Sequence, residues 1–214
     1  MINRIKTELK LLRYSYQFGL FSVLGIFMFV MGWLFLIFDE EGYRLGIFYI
    51  LMSAMFTVQE AHILEASTLI ASSPKKKELV VNLPNKVSAF FTIVNYILYV
   101  ILTYYKQNGS EAYEILCSRR LLLYAVEACI FLLYMGTAFK RFVESTIAFT
   151  IAFFAMYLLG DIVVKNINLS FHHGIIVSSL MILVGILLSN LCRKLLYRLP
   201  LQKISVGKQL RKYM

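Results

Sequence analysis

Six mostly apolar stretches of about 20 residues each, separated by short polar breaks, limit how this 214-residue chain can fold. They run approximately from Tyr16 to Phe38, Leu45 to Leu64, Val87 to Tyr105, Leu121 to Phe139, Phe142 to Val164 and Gly174 to Cys192. At about 1.5 Å of rise per residue, each matches a hydrocarbon core roughly 30 Å thick. A lone strand would leave its amides unpaired in lipid, whereas a helix satisfies its own backbone. The two-residue alternation of a membrane barrel is absent from these stretches. The expected fold is therefore all-α and integral to the membrane. It is a single transmembrane domain of six helices, with an interfacial amphipathic helix at residues 1–15 and a short cytoplasmic helix between spans two and three.

Composition supports that frame. Hydrophobic residues make up 59% of the chain and charged ones 16%, with a mean hydropathy of +0.70, which excludes a soluble domain with a charged rind. With the amino terminus in the cytoplasm, residues 1–15, residues 65–86, the Lys140-Arg141 turn and residues 193–214 hold 17 Lys and Arg. The opposite side holds 5, namely Arg44, Lys106, Arg119, Arg120 and Lys165. The positive-inside rule then predicts that both termini are cytoplasmic. The net charge of +10 reads as orientation and contact with anionic lipid headgroups. It does not point to nucleic acid, because no basic soluble segment interleaved with aromatics is present. Cys117, Cys129 and Cys192 are scattered, with neither a disulfide framework nor zinc-ligand spacing. The 25 uncharged residues from Tyr14 to Phe38 are too long for the core of a cleavable signal, so this stretch is expected to stay as the first span.

The amino-terminal piece places Ile2, Ile5, Leu9, Leu12 and Tyr16 on one helical side and Lys6, Lys10, Arg13 and Gln17 on another. Such a helix lies in the inner interface, its apolar stripe in lipid and its ammonium groups toward phosphates. Residues 193–214 predict a basic tail on the same surface, interrupted by Pro200 and Gly207.

The break at residues 65–86 demands a separate reason. Glu60 and Glu65 sit near the end of the second apolar stretch, where a carboxylate must emerge into the cytoplasm or face a protein-lined cavity. Pro74 and Pro84 then bracket Lys75-Lys76-Lys77-Glu78-Leu79-Val80-Val81-Asn82-Leu83, which predicts a short helix with Leu79, Val80 and Leu83 on one side. An apolar side that meets no lipid calls for a protein groove.

These residues resemble a family. Permeases of the type-2 exporter branch of ABC transporters have six spans, an interfacial amino-terminal helix, and a loop after span two that opens on Ser-Pro or Leu-Pro, followed by basic residues, a glutamate and an aliphatic. Ser73-Pro74-Lys75-Lys76-Lys77-Glu78-Leu79-Val80 is similar to that loop, and Glu65-Ala66-Ser67-Thr68-Leu69 is similar to the approach to it. Ser67 stands where the family usually has Gly, and Asn82 where Lys often follows. The resemblance implies that Ser73, Pro74, Lys75, Lys76, Lys77, Glu78, Leu79, Val80 and Leu83 form a coupling helix seated in a cleft of a separate cytoplasmic ABC ATPase. It also implies a second permease subunit, identical or paralogous, a peptide or amphipathic cargo, and residence in the inner membrane of a bacterium. An alternative of similar size and orientation is the six-span substrate-binding subunit of an energy-coupling-factor importer.

The chain itself is expected to be neither enzyme nor ATP binder. The phosphate cradle GxxxxGK[ST] is absent, since Gln209 follows Gly207-Lys208 and Gln202 replaces the first glycine. ATP and Mg are thus expected on the partner, with no cofactor in this chain. Glu127 lies inside the fourth stretch and either lines a pathway or forms a structural pair, with Arg119 or Arg120 as candidate partners. Asp161 is expected at the outer interface, and Glu144 is expected to pair with Lys140 across one turn. Adjacent His172 and His173 point about 100° apart on a helix and predict interfacial polar residues rather than a metal site. Asp39-Glu40-Glu41 lacks the histidine spacing of an intramembrane protease. No catalytic constellation is present.

Overall fold

The computed structural model describes residues 18–39, 42–66, 77–106 and 111–199. Among the described residues the elements are all helical: α1 (Phe18–Phe38), α2 (Tyr43–Ala66), a π turn (Glu78–Asn82), α3 (Leu83–Lys106), α4 (Glu111–Thr137), α5 (Phe142–Lys165) and α6 (Phe171–Leu196). The helix Val80–Lys106, α5 and α6 are each long and apolar enough to cross a membrane, and Ser22–Phe38 and Tyr43–Met55 are shorter apolar helices. The predicted interfacial helix at residues 1–15, the stretch from Ser73 to Lys76 and the tail beyond residue 199 lie outside the described residues.

Helix α4 is the hub, packed by α6, α5, α2 and α3. Leu121, Leu123, Tyr124, Ala125, Ala128, Phe131 and Leu132 are all almost completely buried, and a helix covered on every side belongs to the core. It begins ten residues before the predicted Leu121, because the charges that argued for a loop are accommodated. Arg119 donates from Nε to the Ile167 carbonyl at 3.1 Å and from Nη2 to Asn168 Oδ1 at 2.9 Å. Arg120 stacks its guanidinium 4.7 Å from the Tyr43 ring.

Small residues let α6 approach α4 closely. Gly174, Ser178, Ile182, Gly185, Ser189 and Arg193 form the buried stripe of α6, spaced three or four residues apart. A Cβ on Gly174 would stand 2.5 Å from Ser118 Oγ, one on Gly185 2.8 Å from Cys129 Sγ, and one on Gly136 2.8 Å from the Ser189 carbonyl oxygen. These pairs advance together along both helices, so α4 and α6 run parallel and α5 is the return between them. Ser178 on this stripe is satisfied locally: its Oγ donates to the Gly174 carbonyl at 2.6 Å, and Tyr96 OH lies 2.5 Å from it.

Helices α1 and α2 form an antiparallel hairpin closed by Asp39, whose Oδ1 accepts from the Gly42 amide at 2.9 Å. They cross at Gly32 and Gly46. A Cβ on Gly32 would meet the Gly46 carbonyl oxygen and the Ile50 amide nitrogen, both at 2.9 Å. Both obstacles are backbone, so neither can rotate away. Gly32→Ala is therefore expected to destabilise the protein by about 1–3 kcal/mol. Denaturant unfolding in detergent, followed by the fluorescence of the adjacent Trp33, would measure it. A loss under about 0.5 kcal/mol would contradict the crossing.

The outward faces are apolar. Phe90, Ile151, Leu158 and Leu187 are each about two-thirds exposed, the reverse of a water-soluble surface and the arrangement that lipid would cover.

Candidate functional site

Two polar centres lie at opposite ends of the bundle. The first is the beginning of α3. The predicted short helix bracketed by Pro74 and Pro84 is not a separate element, since Lys77 to Lys106 is one continuous helix. Proline ordinarily breaks a helix because its ring collides with the carbonyl four residues back. Here the Leu83 amide donates to the Glu78 carbonyl, five residues back, and this π turn widens the helix just ahead of Pro84.

The predicted coupling residues divide in two. Lys77 is exposed and Glu78 half-buried, while Val80, Val81 and Leu83 are buried, at 1%, 0% and 4% exposure. Val80 and Val81 pack with Phe139 of the α4–α5 turn and with Leu196 and Tyr197 at the end of α6. The apolar side predicted to need an external groove is thus seated within the chain, apart from Leu79, of which only the backbone is described. Asn85 Nδ2 donates to Asn190 Oδ1 at 2.7 Å and ties the first turn of α3 to α6.

Cations surround this seat. Arg193 is fully buried, donates from Nη2 to the Met135 carbonyl and lies 5.3 Å from the Phe139 ring centroid. Lys140 is turned inward, its Nζ 5.7 Å from the Phe139 ring and 5.9 Å from the Tyr197 ring. Arg141 forms an ion pair with Glu144 at 3.4 Å. Arg141 stands three residues before Glu144 on the solvent side, whereas Lys140 belongs to the turn that folds over the aromatic rings.

The second centre holds Arg44, Glu127 and Asp161. Arg44 was assigned to a loop by its charge, yet it is buried in the first turn of α2. Its Nη1 donates to Asp161 Oδ2 at 3.0 Å and to the Tyr157 carbonyl at 2.6 Å, and its Nη2 donates to the Met156 carbonyl at 2.7 Å. Its guanidinium also stacks 4.8 Å from the Tyr157 ring. Asp161 remains half-exposed and accepts a further bond from Tyr43 OH at 2.9 Å. Glu127, predicted to find Arg119 or Arg120, has Arg44 Nη2 at 3.8 Å instead. Arg120 shares its helix face but stands seven residues away, about 10 Å along the axis. Glu60 and Glu65, the other predicted intramembrane carboxylates, belong to the last turns of α2.

At the same end, His173 Nδ1 shares a hydrogen bond with Ser170 Oγ at 2.7 Å. Among the described residues no three His, Cys, Asp or Glu side chains are grouped to hold a metal ion. Sequence reasoning missed Arg44, Lys140 and Arg193 as structural centres. The signal for Arg193 was present, since it continues the three-and-four spacing of small residues along α6. No protein-family model, curated protein or solved structure matches the chain.

Proposed function

We propose that this chain is the membrane-spanning permease subunit of an ATP-driven ABC exporter of the type-2 branch. Six helices cross the inner membrane of a bacterium with both termini in the cytoplasm, and two such subunits, identical or paralogous, form the pathway. ATP and Mg are handled by a separate cytoplasmic ATPase. The cargo class, a peptide or amphipathic compound, rests on the family resemblance alone.

One observation carries the reading. From Lys77 onward, the segment that resembles a coupling loop runs without a break into α3, and Val80 and Val81 on its buried side rest on the α4–α5 turn and the end of α6. A partner pressing on Lys77 and the lysines before it would therefore displace three membrane elements together. Packed interiors respond to such pushes by switching between discrete arrangements rather than by deforming smoothly. A basic loop that only fixed topology would have no need of that seat.

The test is purification of the tagged full chain from its native host under mild detergent. The expected result is co-elution of an ABC ATPase whose hydrolysis drives cargo movement in reconstituted vesicles. Recovery of a membrane scaffold chain together with a small-molecule ligand bound to one monomer would instead favour the importer reading.

A further inference from the structure

The exporter reading makes no use of the Arg44, Glu127 and Asp161 centre. Glu127 is 2% exposed, among Leu123, Tyr124, Ala128 and Phe131 at 0 to 1%. Its Oε2 is buried with no hydrogen-bond partner, and so is the hydroxyl of Tyr124, one turn earlier on the same helix. Its Oε1 lies 3.8 Å from Arg44 Nη2, beyond hydrogen-bond range. Arg44 instead aims its hydrogen bonds at α5, through Asp161 and the two carbonyls. A buried carboxylate is tolerated when donors surround it, and a group without them neutralises instead. Glu127 and these neighbours are closed off from solvent, and the smallest ligand that an unpartnered carboxylate oxygen can take there is a proton.

The other charged or titratable groups on this face are few. Helix α2 supplies Tyr43 and Arg44, and α5 supplies Tyr157 and Asp161. Helix α3 supplies Tyr96, whose ring is tilted against Tyr124 at 5.8 Å, and Tyr99, whose ring stacks on it at 5.2 Å. On α4 itself, Arg120 stacks on Tyr43. Helix α6 meets α4 at Ser118, Cys129 and Gly136, which lie about 180° around α4 from Glu127 and contribute no facing charge.

We infer that Glu127 is a proton-binding site that sets the position of Arg44. With the proton on Glu127, Arg44 ties α2 to α5 through Asp161. When the proton leaves, Arg44 is drawn to the new carboxylate and the tie to α5 loosens. The step breaks one O–H bond, leaves its electron pair on the Glu127 carboxylate and releases the proton to water. No other reactant enters. The device operates on this chain's own residues, so it stands or falls independently of the ATPase partner.

Infrared spectroscopy of the full chain in lipid nanodiscs tests it, with the glutamate carboxyl carbons labelled in one sample and the aspartate carboxyl carbons in another. At neutral pH the expected result is a protonated-carboxyl stretch that shifts with glutamate labelling, does not shift with aspartate labelling, and is lost in Glu127→Gln. In Asp161→Asn the charge of Arg44 falls to Glu127 alone, so the band weakens at the same pH. In Arg44→Met it persists. A wild-type spectrum without a glutamate band of this kind would overturn the proposal without recourse to any variant. A band that survives Glu127→Gln, or one equally strong in wild type and Asp161→Asn, would overturn it as well.

Discussion

Arg193→Ala is expected to lower the unfolding free energy by about 2–5 kcal/mol, the range for truncating a large, fully buried side chain. Among the described residues Arg193 heads the fully buried side chains by volume. Its loss would remove the donor to the Met135 carbonyl, the contact with Phe139, and the aliphatic stem that fills the space between α4 and α6. The damage would spread, because Phe139 also seats Val80 and Val81. Arg193→Lys is expected to restore only part of the stability, since an ammonium lacks the planar fork that bonds a carbonyl while stacking on a ring. Equilibrium unfolding in a bilayer mimetic gives the number. A change under about 0.5 kcal/mol for the alanine variant would show that the α4–α6 end does not depend on this residue.

The second large effect concerns coupling. On the proposed exporter function, changing Lys75, Lys76 and Lys77 together to Glu is expected to leave ATP hydrolysis by the proposed ATPase partner running while export falls by about two orders of magnitude. Placing like charges across an interface costs several kcal/mol, and each 1.4 kcal/mol is about tenfold. Loss through inverted topology is not expected, because 14 of the 17 Lys and Arg on the side proposed to be cytoplasmic would remain against 5 on the other. A neutral Gln triple variant separates lost attraction from added repulsion and should fall between the two. Export at the wild-type rate in the Glu triple variant would remove the coupling role from these lysines.

Much of the helical frame was legible because hydropathy and length report what each segment must bury. The stretches predicted from Tyr16 to Phe38 and from Phe142 to Val164 match α1 and α5 to within two residues. What escaped the sequence were charges whose partners come from other helices. Arg119 and Arg120 read as a loop, yet the Ile167 carbonyl, Asn168 and the Tyr43 ring keep them inside α4. Pro84 read as a boundary because a linear pattern does not register a π turn. Glu127 read toward its own helix, while its nearest cation comes from a residue 83 positions earlier, which no local spacing could reveal. Val80 and Leu83 read as a surface awaiting a partner, and the turn after α4 and the end of α6 show why Val80 at least is covered from within.

The account rests on the basic segment ahead of α3 being pressed by an energy-converting partner. The most direct measurement is photo-crosslinking in living cells from a reactive amino acid placed at Lys77, the exposed residue where the described helix begins. The account predicts an adduct with a cytoplasmic ATPase whose yield changes when nucleotide is depleted. Labelling of the same position by a membrane-impermeant reagent from outside intact cells, or adducts with lipid alone throughout turnover, would contradict it.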